Sequence, residues 1–271
     1  MESSMKIWTI ANQKGGVGKT TSVAALAGIL AEKGHRVLML DCDPQASLTA
    51  YFGIDSEALD SSLYNWFLNR PTSYAEAKAP IIKIGCEKTR EKQIIDLVPG
   101  CMSLATLDKR FSSKEGMGLT IGKSIQLLEK DYDFVLFDCA PVLGILLINA
   151  LSACQNLLIP VQTEFLAIKG LERMVQTIKM VIKAQHHDIG YTIVPTMYDQ
   201  RTNASLHALQ SMKSTFKEHL WESVIPVDTK FRDASRLNKT PSSLYPNTHG
   251  VVAYEALTHM IVDISNQKNV A

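Results

Sequence analysis

The sequence predicts an α/β fold in which a doubly wound, mostly parallel sheet is flanked by helices on both faces. Short apolar runs alternate with longer stretches of helical periodicity, which is typical of βαβ units. A glycine-rich stretch joins the first apolar run to the first helical pattern, where phosphate-binding folds place their anion site. Strands are expected at 7–10, 37–40, 134–137, 157–161 and 191–194, with weaker ones at 94–98 and 223–225.

Helices are expected where apolar residues recur at i, i+3, i+4 and i+7. The first covers 20–33 and stops at Gly34, and later ones centre on 171–182, 206–216 and 251–264. Between 53 and 93 the pattern weakens, apart from a short helix candidate at 61–68. We therefore expect one domain over residues 1–271, with a peripheral insertion around 53–93.

Composition narrows the class of protein. A net charge of +1 over 271 residues excludes a strongly basic chain that coats nucleic acid by bulk charge. None of the five cysteines forms a C-x-x-C pair, so reduced thiols in a cytoplasm are expected. The N-terminus lacks a signal-peptide pattern, no segment is long enough to span a membrane, and Met1 and Met5 both stay open as the native start.

The stretch KGGVGKTT lies between the first strand and the first helix. Its backbone N–H groups can surround phosphates, Lys19 can reach the terminal phosphates, and the Thr20 hydroxyl can ligate Mg²⁺. Gln13 replaces the first glycine of the usual loop motif, and a solvated loop position stays open for Lys14. The residues expected to contact the nucleotide are Gly15, Gly16, Val17, Gly18, Lys19, Thr20 and Thr21.

This stretch resembles the deviant Walker A ATPases of the ParA/MinD class, whose motif reads K-G-G-x-G-K-[ST]. The resemblance implies ATP and Mg²⁺ as cofactors and a homodimer that forms around ATP. Lys14 matches the lysine that reaches the partner subunit's phosphates, so the implied catalytic residues are Lys14, Lys19 and Asp43. A cation aimed at phosphoryl oxygens in a dry interface stabilises both the dimer and the transition state.

Three later segments extend the resemblance. In LDCDPQAS, Asp43 matches the acid that positions the attacking water, and Asp41 would help to organise the Mg²⁺ shell; in FVLFDCAP, Asp138 would contact Mg²⁺. In VQTEFLAIKGLERM, Glu164 matches an acid near the nucleotide and the dimer face. Pro226 and Asp228 match positions that flank the base, although a turn role is equally open for both.

Segments 161–174 and 219–236 are most similar to the chemotaxis-associated ParC subgroup of the class. That similarity implies slow, partner-stimulated ATP hydrolysis that positions polar chemotaxis arrays through an adaptor or polar landmark protein. The expected location is the cytoplasm, concentrated at a cell pole or on the nucleoid. The alternatives are a ParA-type plasmid or chromosome partitioning ATPase on nucleoid DNA, a P-loop metabolic ligase or reductase, and a nucleotide-dependent scaffold.

Two surface features bear on partners. The resemblance implies that Arg201 and Lys230 contact DNA without sequence preference, although scattered solvated cations are an equally open interpretation. The full candidate DNA set is Arg201, Lys230, Arg232, Arg236 and Lys239. The C-terminal sequence MIVDISNQKNVA lacks a basic amphipathic pattern, so no direct membrane binding is expected.

Overall fold

The computed structural model describes residues 5–84, 94–111, 116–185 and 189–267. Seven strands form one sheet in the order β3-β4-β2-β5-β1-β6-β7, and every pairing is parallel except that of β3 with β4. The strands are β1 (Lys6–Ile10), β2 (Arg36–Cys42), β3 (Ile82–Lys83), β4 (Ile94–Val98), β5 (Phe134–Cys139), β6 (Asn156–Gln162) and β7 (Gly190–Thr196).

Helices cover both faces of this sheet. They are α1 (Lys19–Glu32), α2 (Ser47–Tyr51), α3 (Leu63–Asn69), α4 (Tyr74–Lys78), α5 (Leu107–Phe111), α6 (Thr120–Gln126), α7 (Ile145–Ala153), α8 (Phe165–Gln185), α9 (Asn203–Thr215), α10 (Lys230–Arg236), α11 (Pro241–Leu244) and α12 (His249–Gln267). Among the described residues, no helix combines the length and apolar character that crossing a bilayer would need.

The core is divided between the two faces of the sheet. Leu38 and Leu40 of β2 point into one apolar cluster, and Val37 and Met39 of the same strand point into a second. Strand side chains alternate between faces, so a strand buried on both sides reads as a continuous apolar run. The doubly wound architecture predicted from the sequence is therefore confirmed.

One predicted strand does not form. Residues 223–225 form no regular strand: the Ile225 N–H donates to the Pro195 carbonyl at 2.8 Å, and the isolated bridges of Ile193 with Leu220 and of Tyr198 with Pro226 lie on either side of them. Proline cannot donate a ladder hydrogen bond, which prevents this segment from continuing as a regular strand. Conversely, the two-residue strand β3 at the opposite edge was not predicted.

The segment that we interpreted as a peripheral insertion contributes to the core. Ser62 caps α3, and Leu63, Trp66 and Phe67 are almost fully buried in the cluster that also contains Leu38. Residues 85–93 of that segment, including Cys86, lie outside the described residues, as do Met1 and the last four residues of the chain.

Candidate nucleotide-binding site

The phosphate loop connects β1 to α1 at the carboxyl edge of the sheet. Gly16 and Gly18 have φ angles of 75° and 91°, a region that L-residues rarely occupy. The Lys14 N–H donates to Asn12 Oδ1 at 3.0 Å, and Thr196 Oγ1 donates to the Val17 carbonyl at 2.9 Å, so both ends of the loop are fixed. Helix α1 has no side-chain N-cap, which leaves its first N–H groups available to an anion.

Lys19 is the first residue of α1, and its side chain is buried. Its Nζ donates to the Lys14 carbonyl at 3.1 Å. Burial lowers its pKa, while the carboxylates of Asp138 and Asp43 act in the opposite direction. An ammonium carries three donors, and one carbonyl uses only one of them. The geometry therefore suits a cation that holds phosphate oxygens at the centre of the loop.

Asp138 lies at the end of β5 in register with Ile10 of β1 and Asp41 of β2. Its Oδ2 accepts a hydrogen bond from Thr20 Oγ1 at 2.6 Å, whereas the buried Oδ1 has no hydrogen-bond partner. Burial raises the pKa of this carboxyl to about 8, and neighbouring Asp41 adds to the shift. A buried oxygen without a partner is costly, and a cation would satisfy it.

The donor set at this point fits Mg²⁺. Thr20 and Asp138 present oxygen ligands, which Mg²⁺ prefers, and it usually takes its other ligands from phosphates and water. Within the described residues, no cluster of three or more His, Cys, Asp or Glu side chains offers an all-protein metal cage. The site therefore matches a cation that arrives with a nucleotide.

Asp41 and Asp43 differ in their surroundings. Asp41 is fully buried. Its Oδ2 accepts hydrogen bonds from the Thr49 N–H at 2.8 Å and from Thr49 Oγ1 at 2.7 Å. Its Oδ1 accepts a hydrogen bond from the Asp43 N–H at 3.2 Å. Burial raises its pKa to about 6. Asp43 is half-buried, and its Oδ1 accepts from the Gln45 N–H at 2.8 Å. Unlike Asp138, Asp41 already has protein donors on both oxygens.

Lys14 forms an ion pair with Glu164 of the same chain. The two side chains are 32% and 39% exposed, so water reaches both. Glu164 directly precedes α8, and the pair links the phosphate loop to that helix. The sequence did not predict this contact, since 150 residues separate the two partners.

Asp228 holds two helix starts together. Its Oδ1 accepts from the Lys230 N–H at 2.9 Å, and its Oδ2 accepts from the Gly250 N–H at 3.1 Å. These contacts favour the turn role that the sequence had left open for Asp228. With Tyr198 and Pro226 it also lines a cavity of about 900 Å³, and none of the lining residues belongs to the phosphate loop.

Four cations of the candidate DNA set are exposed, and the fifth, Lys239, is half-buried. Arg201 makes two hydrogen bonds to Asp199, at 2.8 and 2.9 Å, and Lys230 pairs with Asp233 at 3.1 Å. Arg232 and Arg236 are exposed on α10, and Lys239 follows that helix in a half-buried position. Local carboxylates therefore offset the charge of two members of the set.

Three positioning residues were missed by the sequence interpretation: Asn12, Thr49 and Thr196. Asn12 and Thr196 contact the phosphate loop, and Thr49 contacts the Asp41 carboxylate, each at 3.0 Å or closer. Asn12 and Thr49 lie close in sequence to the motifs they support, whereas Thr196 lies at the end of β7. Short polar side chains beside a motif are too common for a sequence pattern to single them out.

Comparisons with known proteins match most of the chain. A protein-family model described as an AAA domain matches residues 5–191. The chain is 32% identical to the sporulation initiation inhibitor protein Soj of Bacillus subtilis, over 92% of this chain and 95% of the relative. It is 31% identical to the chromosome partitioning protein ParA of Myxococcus xanthus, over 93% of this chain and 86% of the relative.

Two solved structures share the fold. A cobyrinic acid a,c-diamide synthase from Mycobacterium smegmatis, with bound ADP and magnesium, superposes with a TM-score of 0.80 at 28% identity, over 95% of this chain and 94% of the other. A McdA–ATP complex from Cyanothece has a TM-score of 0.80 at 20% identity, over 96% and 97% of the two chains, and supports the fold alone.

Proposed function

The chain belongs to the ParA/MinD family of AAA-domain P-loop ATPases, and we propose that it is a Mg²⁺-dependent ATPase that dimerises around ATP and positions cargo. One observation carries the proposal. The glycine loop, the buried Lys19 and the Thr20–Asp138 pair converge at one edge of the sheet, where the carboxylate oxygen Asp138 Oδ1 has no partner. Residues 1–271 would act as one ATPase unit.

The loop supplies the phosphate site of this proposal. Backbone N–H groups of residues 15–21 and the Lys19 ammonium would hold the β- and γ-phosphates. Thr20 and Asp138 would hold Mg²⁺, which neutralises charge on the phosphate oxygens when it is bound. Support comes from the unpartnered Asp138 oxygen and from the synthase relative, whose structure carries ADP and magnesium.

Asp43 and Lys14 would act on the reacting end of the nucleotide. The half-buried Asp43 carboxylate would orient the attacking water. Lys14 would leave Glu164 and reach the phosphates held by the partner subunit. Ion pairs between partly exposed groups contribute only about 0–1 kcal/mol, so a multiply charged phosphate competes well with Glu164.

Cargo positioning is the proposed output of this ATP cycle. The name of the Myxococcus xanthus relative, a chromosome partitioning protein, supports a spatial function. Segments 161–174 and 219–236 support a finer assignment to polar chemotaxis arrays, reached through an adaptor or polar landmark protein that stimulates slow hydrolysis. Cytoplasm, cell pole and nucleoid are the proposed locations, with non-specific DNA as a second partner.

A second candidate is an ATP-dependent amide-forming enzyme. The synthase structure with a TM-score of 0.80 and the cavity of about 900 Å³ beside Tyr198 favour it. Such an enzyme would turn over ATP only when a second substrate is supplied. Steady phosphate release by the purified chain with Mg²⁺ and ATP alone would therefore argue for the first candidate.

Replacement of Asp43 by alanine tests the proposal. We expect Asp43→Ala to bind ATP and dimerise but to lose phosphate release, because the attacking water loses its orienting carboxylate. Malachite-green phosphate assays and size-exclusion chromatography with ATP measure the two properties. Asp60→Ala, which removes an exposed carboxylate, is the matched control and should keep the parent rate. Unchanged turnover in Asp43→Ala would contradict the assignment of Asp43.

A further inference from the structure

A buried pair of hydroxyls connects helix α12 to the end of the phosphate loop. Ser22 of α1 and Tyr254 of α12 are each 2% exposed, and their hydroxyl oxygens lie 2.7 Å apart. The Ser22 hydroxyl also donates to the Gly18 carbonyl at 2.7 Å, and the Ser22 N–H donates to the same carbonyl oxygen at 2.8 Å. Helix α12 therefore reaches the loop through one intervening side chain.

The direction of these hydrogen bonds follows from the number of protons. A serine hydroxyl carries one proton, and the Gly18 carbonyl accepts the proton of Ser22. The Tyr254 hydroxyl therefore donates to the Ser22 oxygen. Burial raises the pKa of Tyr254 to about 12, so the phenol keeps its proton throughout the neutral range. The two bonds form a chain that runs from Tyr254 to Gly18.

The orientation of the Gly18 carbonyl matters because of the peptide unit to which it belongs. A planar trans peptide points the Gly18 carbonyl and the Lys19 N–H in opposite directions. Gly18 has a φ angle of 91° and no Cβ, so its own backbone restricts that plane less than an L-residue would. Lys19 is the first residue of α1, whose first N–H groups are available to an anion. Fixing the carbonyl therefore aims an N–H group of the nucleotide site.

The ring of Tyr254 is itself held by helix α10. Phe231 of α10 packs edge-to-face against it, with 5.6 Å between the ring centroids and 83° between the ring planes. Phe231 lies so close to the first turn of α12 that a Cβ at Gly250 would stand 2.5 Å from its ring. Asp228 accepts N–H hydrogen bonds from both helices and so fixes α10 against α12. The position of Tyr254 therefore depends on that of α10.

We propose that Tyr254 is a positioning residue of the nucleotide site, which holds the Gly18 carbonyl through Ser22 and is itself held by Phe231. This inference rests on the proposed function, which supplies the nucleotide. Helices α10 and α12 would then change nucleotide affinity, although neither contains a residue of the phosphate loop. A role in the core alone would make Tyr254 matter for stability and leave the nucleotide affinity of the folded chain unchanged.

Removal of one hydroxyl tests this role. Tyr254→Phe keeps the ring and its contact with Phe231 but deletes the hydrogen-bond donor to Ser22. We expect the affinity of the full chain for a fluorescent ATP analogue with Mg²⁺, measured by titration, to fall about fivefold, because one buried neutral hydrogen bond no longer holds the loop.

The matched control is Tyr132→Phe. The Tyr132 hydroxyl is also buried and donates to Asp96 at 2.7 Å, but Tyr132 precedes β5, at the opposite edge of the sheet from the loop. This variant should unfold at a lower temperature than the parent and keep the parent's affinity for the ATP analogue.

Two further variants locate the effect. Ser22→Ala should lower the affinity at least as much as Tyr254→Phe, and the double variant should lose no more than Ser22→Ala alone, since both changes break one chain of bonds. Phe231→Leu should lower the affinity about threefold in the parent and change nothing in the Tyr254→Phe background. Thermal denaturation of each variant checks that the titrations are made on folded protein.

Hydrogen exchange of the nucleotide-free chain provides a second measurement that needs no ATP. Mass spectrometry of the peptide that covers residues 13–22 should show faster amide exchange in Tyr254→Phe than in the parent, and an unchanged rate in Tyr132→Phe. If the parent failed to bind the ATP analogue, the proposed function would be wrong, and the exchange rates would still decide the role of Tyr254.

Three results would overturn the inference. They are parent-like affinity and exchange in Tyr254→Phe, an equal loss of affinity in Tyr132→Phe, and additive effects of Phe231→Leu and Tyr254→Phe.

Discussion

The sheet edge that carries the phosphate loop and the candidate DNA set both contain charged residues, but the surroundings of those residues differ. At the loop edge, the buried Lys19 and Asp138 belong to adjoining elements whose positions the sheet fixes. In the last third, Arg201 and Lys230 are exposed and pair with Asp199 and Asp233, two and three residues away. The first arrangement concentrates charge at one point, whereas the second neutralises it locally.

The difference shows how burial affects the free energy of a charged group. At the loop edge, burial shifts the pKa values of Lys19, Asp41 and Asp138, so each group responds strongly to a bound ion. Water screens the exposed cations, and their ion pairs contribute little free energy. Substitutions in the two regions should therefore differ in size and in the property that they change.

Lys19→Ala should have the largest effect on ATP affinity. Removing the buried ammonium deletes a charged hydrogen-bond donor to phosphate, which contributes about 1.5–3 kcal/mol, so ATP affinity should fall by about ten- to a hundredfold. Titration with a fluorescent ATP analogue measures it. Lys33→Ala, an exposed lysine at the other end of α1, is the control and should bind like the parent. A loss below threefold for Lys19→Ala would remove the distinction between the two regions.

The next prediction concerns Asp138 and the pH dependence of the free energy of unfolding. Burial raises its pKa to about 8, so the folded metal-free chain keeps a proton that the unfolded chain releases above about pH 4. Stability in EDTA should therefore fall as pH rises from about 4 to about 8. Asp138→Asn should lose the fall between pH 6 and 8 and keep a fall below pH 6, where Asp41, with a pKa of about 6, still titrates.

Thermal unfolding in EDTA between pH 5 and 8.5 measures this effect, and Asp60→Asn is the exposed control. Mg²⁺ with ATP should reverse the trend for the parent, since a bound cation favours the ionised carboxylate. Identical pH profiles for the parent and Asp138→Asn would contradict the burial argument.

Lys230→Glu should have the smallest effect. We expect ATP affinity to stay within twofold of the parent and the salt slope of DNA binding to fall by about one unit for the lost phosphate contact. Electrophoretic shifts with ATP from low to moderate salt measure the slope. If the parent chain shifted no DNA at low salt, the proposed role of the candidate DNA set in binding DNA would be wrong.

The parts of the fold that were predicted are those in which the local sequence pattern alone indicates the structure. The run at 157–161 lies inside β6 because a strand buried on both faces is apolar throughout. Gly16 and Gly18 supply the positive φ angles that the loop requires. By contrast, α7 was missed because it is apolar over most of its length and therefore lacks a helical period.

The parts that were not predicted depend on contacts between distant residues. The Lys14–Glu164 pair and the support of the loop by Thr196 join segments that only the folded sheet brings together. The pairing of Arg201 with Asp199 is local, and the acid two residues before the arginine was a signal that could have predicted it. Motif spacing thus predicted the phosphate chemistry, but not which side chains hold Lys14 and the loop in place.

The most direct test of the central claim is the molar mass of the Asp43→Ala chain with ATP and Mg²⁺, measured by light scattering with and without Lys14→Ala. The account predicts a dimer of about twice the 30.0 kDa chain mass for Asp43→Ala, and a monomer that still binds ATP when Lys14 is also replaced. A stable ATP-loaded dimer without the Lys14 amine would contradict the claim that this lysine acts on the partner subunit's nucleotide.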